Sequence, residues 1–298
     1  MKTFHFKKID AFATEKSNGN PAGYIKLNNR SDIDHEGMLK IAKELKGFVN
    51  EVGYVFQANA SEFDLKFYSS EREVDFCGHA TIAIMYDLIG GNDSTFDRST
   101  VKINTNRGTL TVENRIENED AVFIMSPLPR HVKEVPPLSE IKIALKLNAT
   151  DIDTALPVQI INAGLNTLII PIRSLDAILS IAPDLVELNE FCVHRGIDII
   201  EVFSAETSDS SSDYRTRVFA PTFGYLEDPA TGSGNSAFGY YLRENNLWKS
   251  DGITIEQNNL PYNFNIVKLQ LTTDAEGRER VLFGGGAITR IEGKYSLH

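Results

Sequence analysis

Two runs of the 298-residue chain, residues 79–88 and 233–241, are almost free of charge. Each is long enough for about two and a half helical turns. Apolar side chains fall on every side of the helix that each run would form, which predicts two helices buried all round. A glycine-bearing block opens each run, Cys77-Gly78-His79-Ala80-Thr81 and Thr231-Gly232-Ser233-Gly234-Asn235. At a constant offset of 154 residues Gly78 meets Gly232, Ala83 meets Ala237 and Tyr86 meets Tyr240. An acidic residue, Asp75 or Asp228, precedes each glycine by a few positions. The spacing predicts a duplicated fold with both helix starts facing a shared cleft.

Alternation of period two predicts strands over residues 3–9 and 22–27, joined through the polar tip Ser17-Asn18-Gly19-Asn20-Pro21. Helical spacing predicts a short helix over 38–46. Residues 48–56 read as an apolar strand with one carboxylate, Glu51, in its middle. Further strands are expected at 63–69, 101–105, 109–113 and 121–126, with a turn at 71–76 and a loop at 94–98. Pro127, Pro129, Pro136 and Pro137 make residues 127–137 the linker candidate. Beyond it come a helix (139–147), a strand pair (158–161 and 167–172), two helices (175–181 and 183–191) and a strand (196–203). An exposed loop at 204–213 and a strand at 214–219 lead to the second buried helix. Four strands follow, at 253–256, 264–271, 278–283 and 287–291, with Gly284-Gly285-Gly286 as a bend. The expected fold is α+β, with two pseudo-repeated domains, each a barrel-like, mostly antiparallel sheet around a central helix. The domains are expected at 1–127 and 128–284, with a final strand in 285–298 crossing back to the first.

This length suits two domains of about 150 residues each. A formal net charge of −11 and the lack of a basic stripe argue against nucleic-acid binding. The longest uncharged stretch, 154–172, contains Pro157, Gln159, Asn162, Gly164 and Asn166, which favours paired strands over a membrane span. Cys77 and Cys192 are too few for a disulfide framework. With no apolar leader in the alternating Met1-Lys2-Thr3-Phe4-His5-Phe6 segment, a cytoplasmic location is expected.

A glycine at a helix start lets a ligand approach the backbone, and the unpaired N–H groups there favour an anion. Gly78 and Gly232, with His79 and Ser233 one step beyond them, are therefore candidate contacts for a negatively charged group or a developing enolate. Asp228 either caps the helix that follows, orients His79 or meets a substrate ammonium. Glu51 is either a solvated residue at a strand entrance or a carboxyl in apolar surroundings suited to acid/base work. Cys77 reads as a small buried residue, and Thr231 stands where a second thiol would be needed for two-thiol racemisation. The sequence carries no recognisable metal, P-loop, dinucleotide or Gly-x-Ser-x-Gly motif, so no metal or cofactor is expected.

Asp10-Ala11-Phe12, Gly19-Asn20-Pro21, Asn50-Glu51, Cys77-Gly78-His79-Ala80-Thr81, Glu227-Asp228-Pro229-Ala230-Thr231-Gly232-Ser233 and Gly284-Gly285-Gly286-Ala287 together resemble the phenazine-biosynthesis PhzF family of isomerases. These blocks run from the first strand to the last. The resemblance implies the diaminopimelate-epimerase fold and Glu51 as catalytic acid/base. His79, Asp228 and Ser233 match the polar residues around the substrate. It also implies cofactor-free proton relocation in a small carboxylate and a homodimer. The characterised phenazine enzyme acts on a dihydro-hydroxyanthranilate, whereas most relatives have no established substrate. Two rivals stand beside this reading: an amino- or hydroxy-acid epimerase or racemase, and a catalytically silent small-molecule binding protein on the same scaffold.

Overall fold

The computed structural model describes residues 2–148 and 150–298, with Ser94 described by its backbone alone. Met1, the first residue of the alternating amino-terminal segment, lies outside them. The chain divides into two compact units, Met1–Met125 with Gly284–His298, and Ser126–Phe283. The first contains β1 (Lys2–Ala11), β2 (Asn20–Leu27), α1 (His35–Glu44), β3 (Glu51–Asn59), β4 (Glu62–Ser69), β5 (Glu73–Val74), α2 (Gly78–Gly90), α3 (Asp93–Phe96), β6 (Thr100–Thr105), β7 (Gly108–Asn114), α4 (Ile116–Glu119) and β8 (Val122–Met125). The second contains β9 (Arg130–Val132), α5 (Leu138–Leu145), β10 (Gln159–Asn162), β11 (Asn166–Pro171), α6 (Leu175–Ser180), α7 (Leu185–Arg195), β12 (Ile199–Ser204), β13 (Tyr214–Phe219), a 3-10 turn (Pro221–Phe223), β14 (Glu227–Asp228), α8 (Gly232–Glu244), β15 (Gly252–Gln257) and β16 (Asn265–Thr273). The strand β17 (Glu279–Gly285) ends that run, and β18 (Ala287–Leu297) belongs to the first unit.

In the first unit β1 pairs antiparallel with both β18 and β2, while β2 pairs parallel with β3 across α1. Antiparallel β3–β4 follows, then parallel β4–β6 across α2, and antiparallel β6–β7 and β7–β8. The second unit runs through a like succession. Its β10 pairs antiparallel with β9 and β11, β11 parallel with β12, β12 antiparallel with β13, β13 parallel with β15, and β15 antiparallel with β16. Parallel pairs fall where a helix intervenes, because a parallel neighbour needs a crossover.

Each helix that opens on glycine is a core element. In α2 the side chains of Ala80 to Met85, Leu88 and Ile89 are buried, against β1, β2, β3, β8 and β18. The residues Gly232 and Gly234 to Leu242 of α8 are buried, against β10, β11, β12 and β16. The aromatic rings of Phe238 and Tyr241 meet Phe203 at centroid distances of 4.6 and 5.3 Å. The opposite face of each sheet is covered separately. Met38 and Ile41 of α1 pack with Ile25, Val52 and Tyr54, and Ile141, Ile178 and Leu188 pack with Ile200 and Val202. Each such aliphatic side chain contributes about 1.5–3 kcal/mol of burial, which holds helix and sheet in register.

Three local expectations are corrected. Residues 94–98 are not simply loop, because Thr95 and Phe96 N–H groups donate to the Asn92 carbonyl at 2.9 and 2.8 Å and close the single turn α3. The linker candidate 127–137 holds β9, since its prolines flank Arg130–Val132 and leave those three residues free to join β10. Glu51 is the first residue of β3 rather than its middle, because the chain turns through Gly47, at φ +84°, with Phe48 N–H bonded to the Leu45 carbonyl.

Candidate active site

The two buried helices begin alike. Both are 13 residues long, with extended N-caps, Cys77 at φ −130°, ψ 111° and Thr231 at φ −128°, ψ 116°, and neither N-cap side chain closes the first turn. Four residues on, Thr81 Oγ1 donates to the Cys77 carbonyl at 2.7 Å and Asn235 Nδ2 to the Thr231 carbonyl at 2.8 Å. The leading N–H groups of each helix have no acceptor within the helix and carry the positive end of its dipole. Glycine is required at Gly232, where a Cβ would stand 2.4 Å from the Phe283 ring.

The first helix start carries the titratable groups. Glu51, held between Ala22 of β2 and Ser69 of β4, brings its Oε2 to 3.3 Å from His79 Nε2. That separation suits charge pairing. The alignment is not that of a hydrogen bond, and the buried Oε2 accepts from no donor among the described residues. The side chains of Glu51 and His79 are 21% and 13% exposed, so both are largely out of water yet reachable. On its other edge His79 Nδ1 lies 3.5 Å from Cys77 Sγ. Burial works against charge on His79, but the Cys77 sulfur and the Glu51 carboxylate outweigh it and hold the imidazole well above its ordinary range. Burial pushes the Cys77 thiol up, against the pull of His79 and with Glu51 adding to the rise.

The ligand atoms of Glu51, Cys77 and His79 lie within 4.8 Å of one another, a grouping that the sequence pattern did not suggest. A metal there would first have to displace the proton that burial keeps on the thiol.

The second helix start carries fixed dipoles. Asp228 Oδ2 accepts from Thr231 Oγ1 at 2.6 Å. Gln257, fully buried at the end of β15, accepts at Oε1 from Thr231 N–H (2.9 Å) and Asn235 Nδ2 (2.7 Å). Its Nε2 donates to the Asp228 carbonyl (3.0 Å) and Thr231 Oγ1 (3.1 Å). Behind this turn sits Glu201, fully buried on β12. Neither carboxyl oxygen has a partner among the described residues, and burial raises the group well above the usual carboxylate range. A Cβ on Gly234 would come within 2.7 Å of Glu201 Oε2, so the bare glycine makes room for it.

Of the residues singled out in the sequence, Glu51, Gly78 and His79 come together in the first unit, and Asp228, Gly232 and Ser233 lie at one helix start in the second. Sequence reasoning passed over the Cys77–His79 contact, Gln257 and Glu201. Glu201 carried the same signal as Glu51, one carboxylate inside the apolar strand Ile199-Ile200-Glu201-Val202-Phe203, whereas Gln257 carried none.

Comparison with solved structures defines the class first. A PhzF-family protein from Bacillus anthracis superposes over 100% of both chains with a TM-score of 0.86 at 24% identity. A hydroxyproline epimerase from Agrobacterium vitis, solved with trans-4-hydroxy-L-proline, covers 98% of this chain and 92% of its own at a TM-score of 0.56 and 11% identity. At those identities the likeness shows the fold, the mixed α/β class of PhzF and epimerase-like proteins. The family model described as phenazine biosynthesis-like protein matches residues 9–293, and the chain belongs to that family. Its relatives include an uncharacterized isomerase of Clostridium acetobutylicum, 28% identical over 100% of both chains. Another is an uncharacterized isomerase of Bacillus subtilis, 26% identical over 98% of this chain and 99% of its own.

Proposed function

We propose that the chain is a cofactor-independent isomerase that moves a proton within a small carboxylate substrate, with Glu51 as acid/base. The observation that carries the reading is Glu51 Oε2, with no hydrogen-bond donor among the described residues, standing 3.3 Å from the largely buried His79 imidazole. The carboxylate takes a proton from an activated carbon, so that a C–H bond breaks, an O–H bond forms and the electron pair delocalises as an enolate. The carboxyl, partly open to water and able to trade its hydrogen with it, then delivers a proton to a different carbon. Throughout, His79 keeps positive charge next to the site, which lowers the energy of both anionic partners. Gly78, His79, Asp228, Gly232 and Ser233 are assigned to substrate binding, the helix-start N–H groups taking the carboxylate.

Duplication of one ancestral unit, with division near residue 127 and the final strand returning to the first half, is part of the same reading. So are a homodimer and a cytoplasmic setting, the dimer being open to test by light scattering.

The experiment is a proton-NMR screen of small unsaturated and amino carboxylates with no cofactor added. Double-bond migration in one class of compound, unaffected by dialysis against a chelator, is the expected result. No conversion of any of them would count against the reading. A second reading, an epimerase, is favoured by Cys77 Sγ standing 3.5 Å from His79, where a thiol could return the proton to the opposite face. Inversion at an α-carbon, abolished in Cys77→Ala, would select it.

A further inference from the structure

The buried amide of Gln257 is tied wholly to the block that opens the second buried helix. All four of its hydrogen bonds go to Asp228, Thr231 and Asn235. Only one orientation of the amide works. Rotated by half a turn, its nitrogen would face two donors, Thr231 N–H and Asn235 Nδ2. Because Nε2 donates to Thr231 Oγ1, the hydroxyl must spend its own hydrogen elsewhere, and Asp228 Oδ2 stands 2.6 Å away. The amide thus sets the direction of the hydroxyl, and the hydroxyl anchors the carboxylate.

The residues on either side hold Gln257 in place. Before it, Glu256 and Arg215, both fully buried, pair at 3.0 Å. Glu256 also accepts from the N–H groups of Ser208 (2.9 Å) and Asp209 (2.7 Å). After it, Asn258 sits at φ +129°, a conformation that side chains other than glycine rarely adopt. Arg215 Nη2 donates to the Asn258 carbonyl at 2.7 Å, Leu260 N–H donates to Asn258 Oδ1 at 2.8 Å, and Asn258 Nδ2 donates to the Asn263 carbonyl at 2.9 Å. A backbone conformation of this kind persists where its surroundings over-determine it, and here they fix the strand end that delivers Gln257.

We propose that Gln257 is a positioning residue, whose donor end fixes Thr231 and thereby aims the Asp228 carboxylate and the leading N–H groups of Gly232 and Ser233 at the substrate. That there is a substrate at all rests on the proposed isomerase function; the aiming rests on the geometry alone. Gln257→Met removes all four bonds at similar volume. Gln257→Glu keeps both acceptances but lacks the donor until its carboxyl is protonated.

Hydrogen exchange followed by NMR tests the geometry with no ligand. In Gln257→Met the amides of residues 231–235 should lose protection about tenfold, while those of residues 78–81 in the other helix start stay unchanged. Gln257→Glu, which keeps the two acceptances, should show a smaller loss at neutral pH and recover wild-type protection below the titration of its new carboxyl. Unchanged protection at 231–235 in both variants, or equal loss at both helix starts, overturns the proposal. The kinetic arm uses any carboxylate that the wild-type protein converts. Gln257→Glu should then raise KM about tenfold, with kcat within threefold. A fall in kcat at constant KM contradicts the positioning role and spares the functional reading. A wild-type protein that converts nothing contradicts the functional reading and leaves the exchange test standing.

Discussion

The starts of α2 and α8 share a backbone and divide the chemistry. Length, N-cap conformation and the bond from the fourth following side chain to the cap carbonyl are the same in both. What differs is what stands around them. The first start is surrounded by groups that change charge, Glu51, His79 and Cys77, and its carboxylate keeps one oxygen unshared. At the second, the Asp228 carboxylate is tied into a set of amides and hydroxyls, the Gln257 and Thr231 side chains bonding in fixed directions. A repeated helix start can therefore be a proton-carrying device or a rigid binding device, and the surrounding side chains decide which.

Glu51→Gln breaks the comparison hardest. Turnover should fall by about 10²- to 10⁴-fold, because the amide keeps the shape of the carboxyl and loses its basicity. The sign for His79 follows from its raised titration. The imidazolium persists above the ordinary value near 6.5 and is lost as pH rises through the folded-state value. A pH–rate profile of the wild-type protein should show an alkaline limb that His79→Gln lacks, at a rate lowered about tenfold or more. Gly232→Ala probes the second start by stability, since its methyl would meet the Phe283 ring at 2.4 Å. A loss of about 1–3 kcal/mol in denaturant unfolding is expected, without the pH signature of His79→Gln.

Glu201 sharpens the contrast further, as a carboxyl kept from ionising by burial beside a start that otherwise carries fixed dipoles. Its folded-state titration is raised, so the stability it allows is complete below the unfolded value near 4.3 and declines as pH rises above it. Wild-type unfolding free energy should fall relative to Glu201→Gln by up to about 1.4 kcal/mol per pH unit in that window. A flat difference would show that Glu201 has found a partner. The smallest effect belongs to Cys77→Ala, with turnover within about threefold of wild type, as expected for a thiol that burial keeps protonated. A large loss there would move the account to the epimerase reading.

Much of this contrast was legible before any coordinates. The two uncharged runs marked α2 and α8, because a helix surrounded by strands must be apolar on all sides. The strands β6 and β7 were visible because residues 101–105 and 109–113 read as strands on either side of a short gap. Glu51 stood out as a carboxylate in an apolar run. Short elements such as β9, α3 and α4 were hidden, since three or four residues carry no period, and β9 in addition takes its bonds from β10, distant in sequence. Gln257 and Glu201 were unmarked for a related reason. The significance of a buried polar side chain lies in what it faces, and pairings such as Gln257 with Thr231 join residues 26 positions apart through the fold.

The central claim, that Glu51 carries the proton, is tested most directly by solvent exchange. Small carboxylates converted or bound by the wild-type protein are incubated in deuterium oxide, and loss of individual C–H resonances is followed by proton NMR. The wild-type protein should wash deuterium into the activated carbon, and Glu51→Gln should bind the same compound without exchanging it. Equal exchange by both proteins would contradict the account.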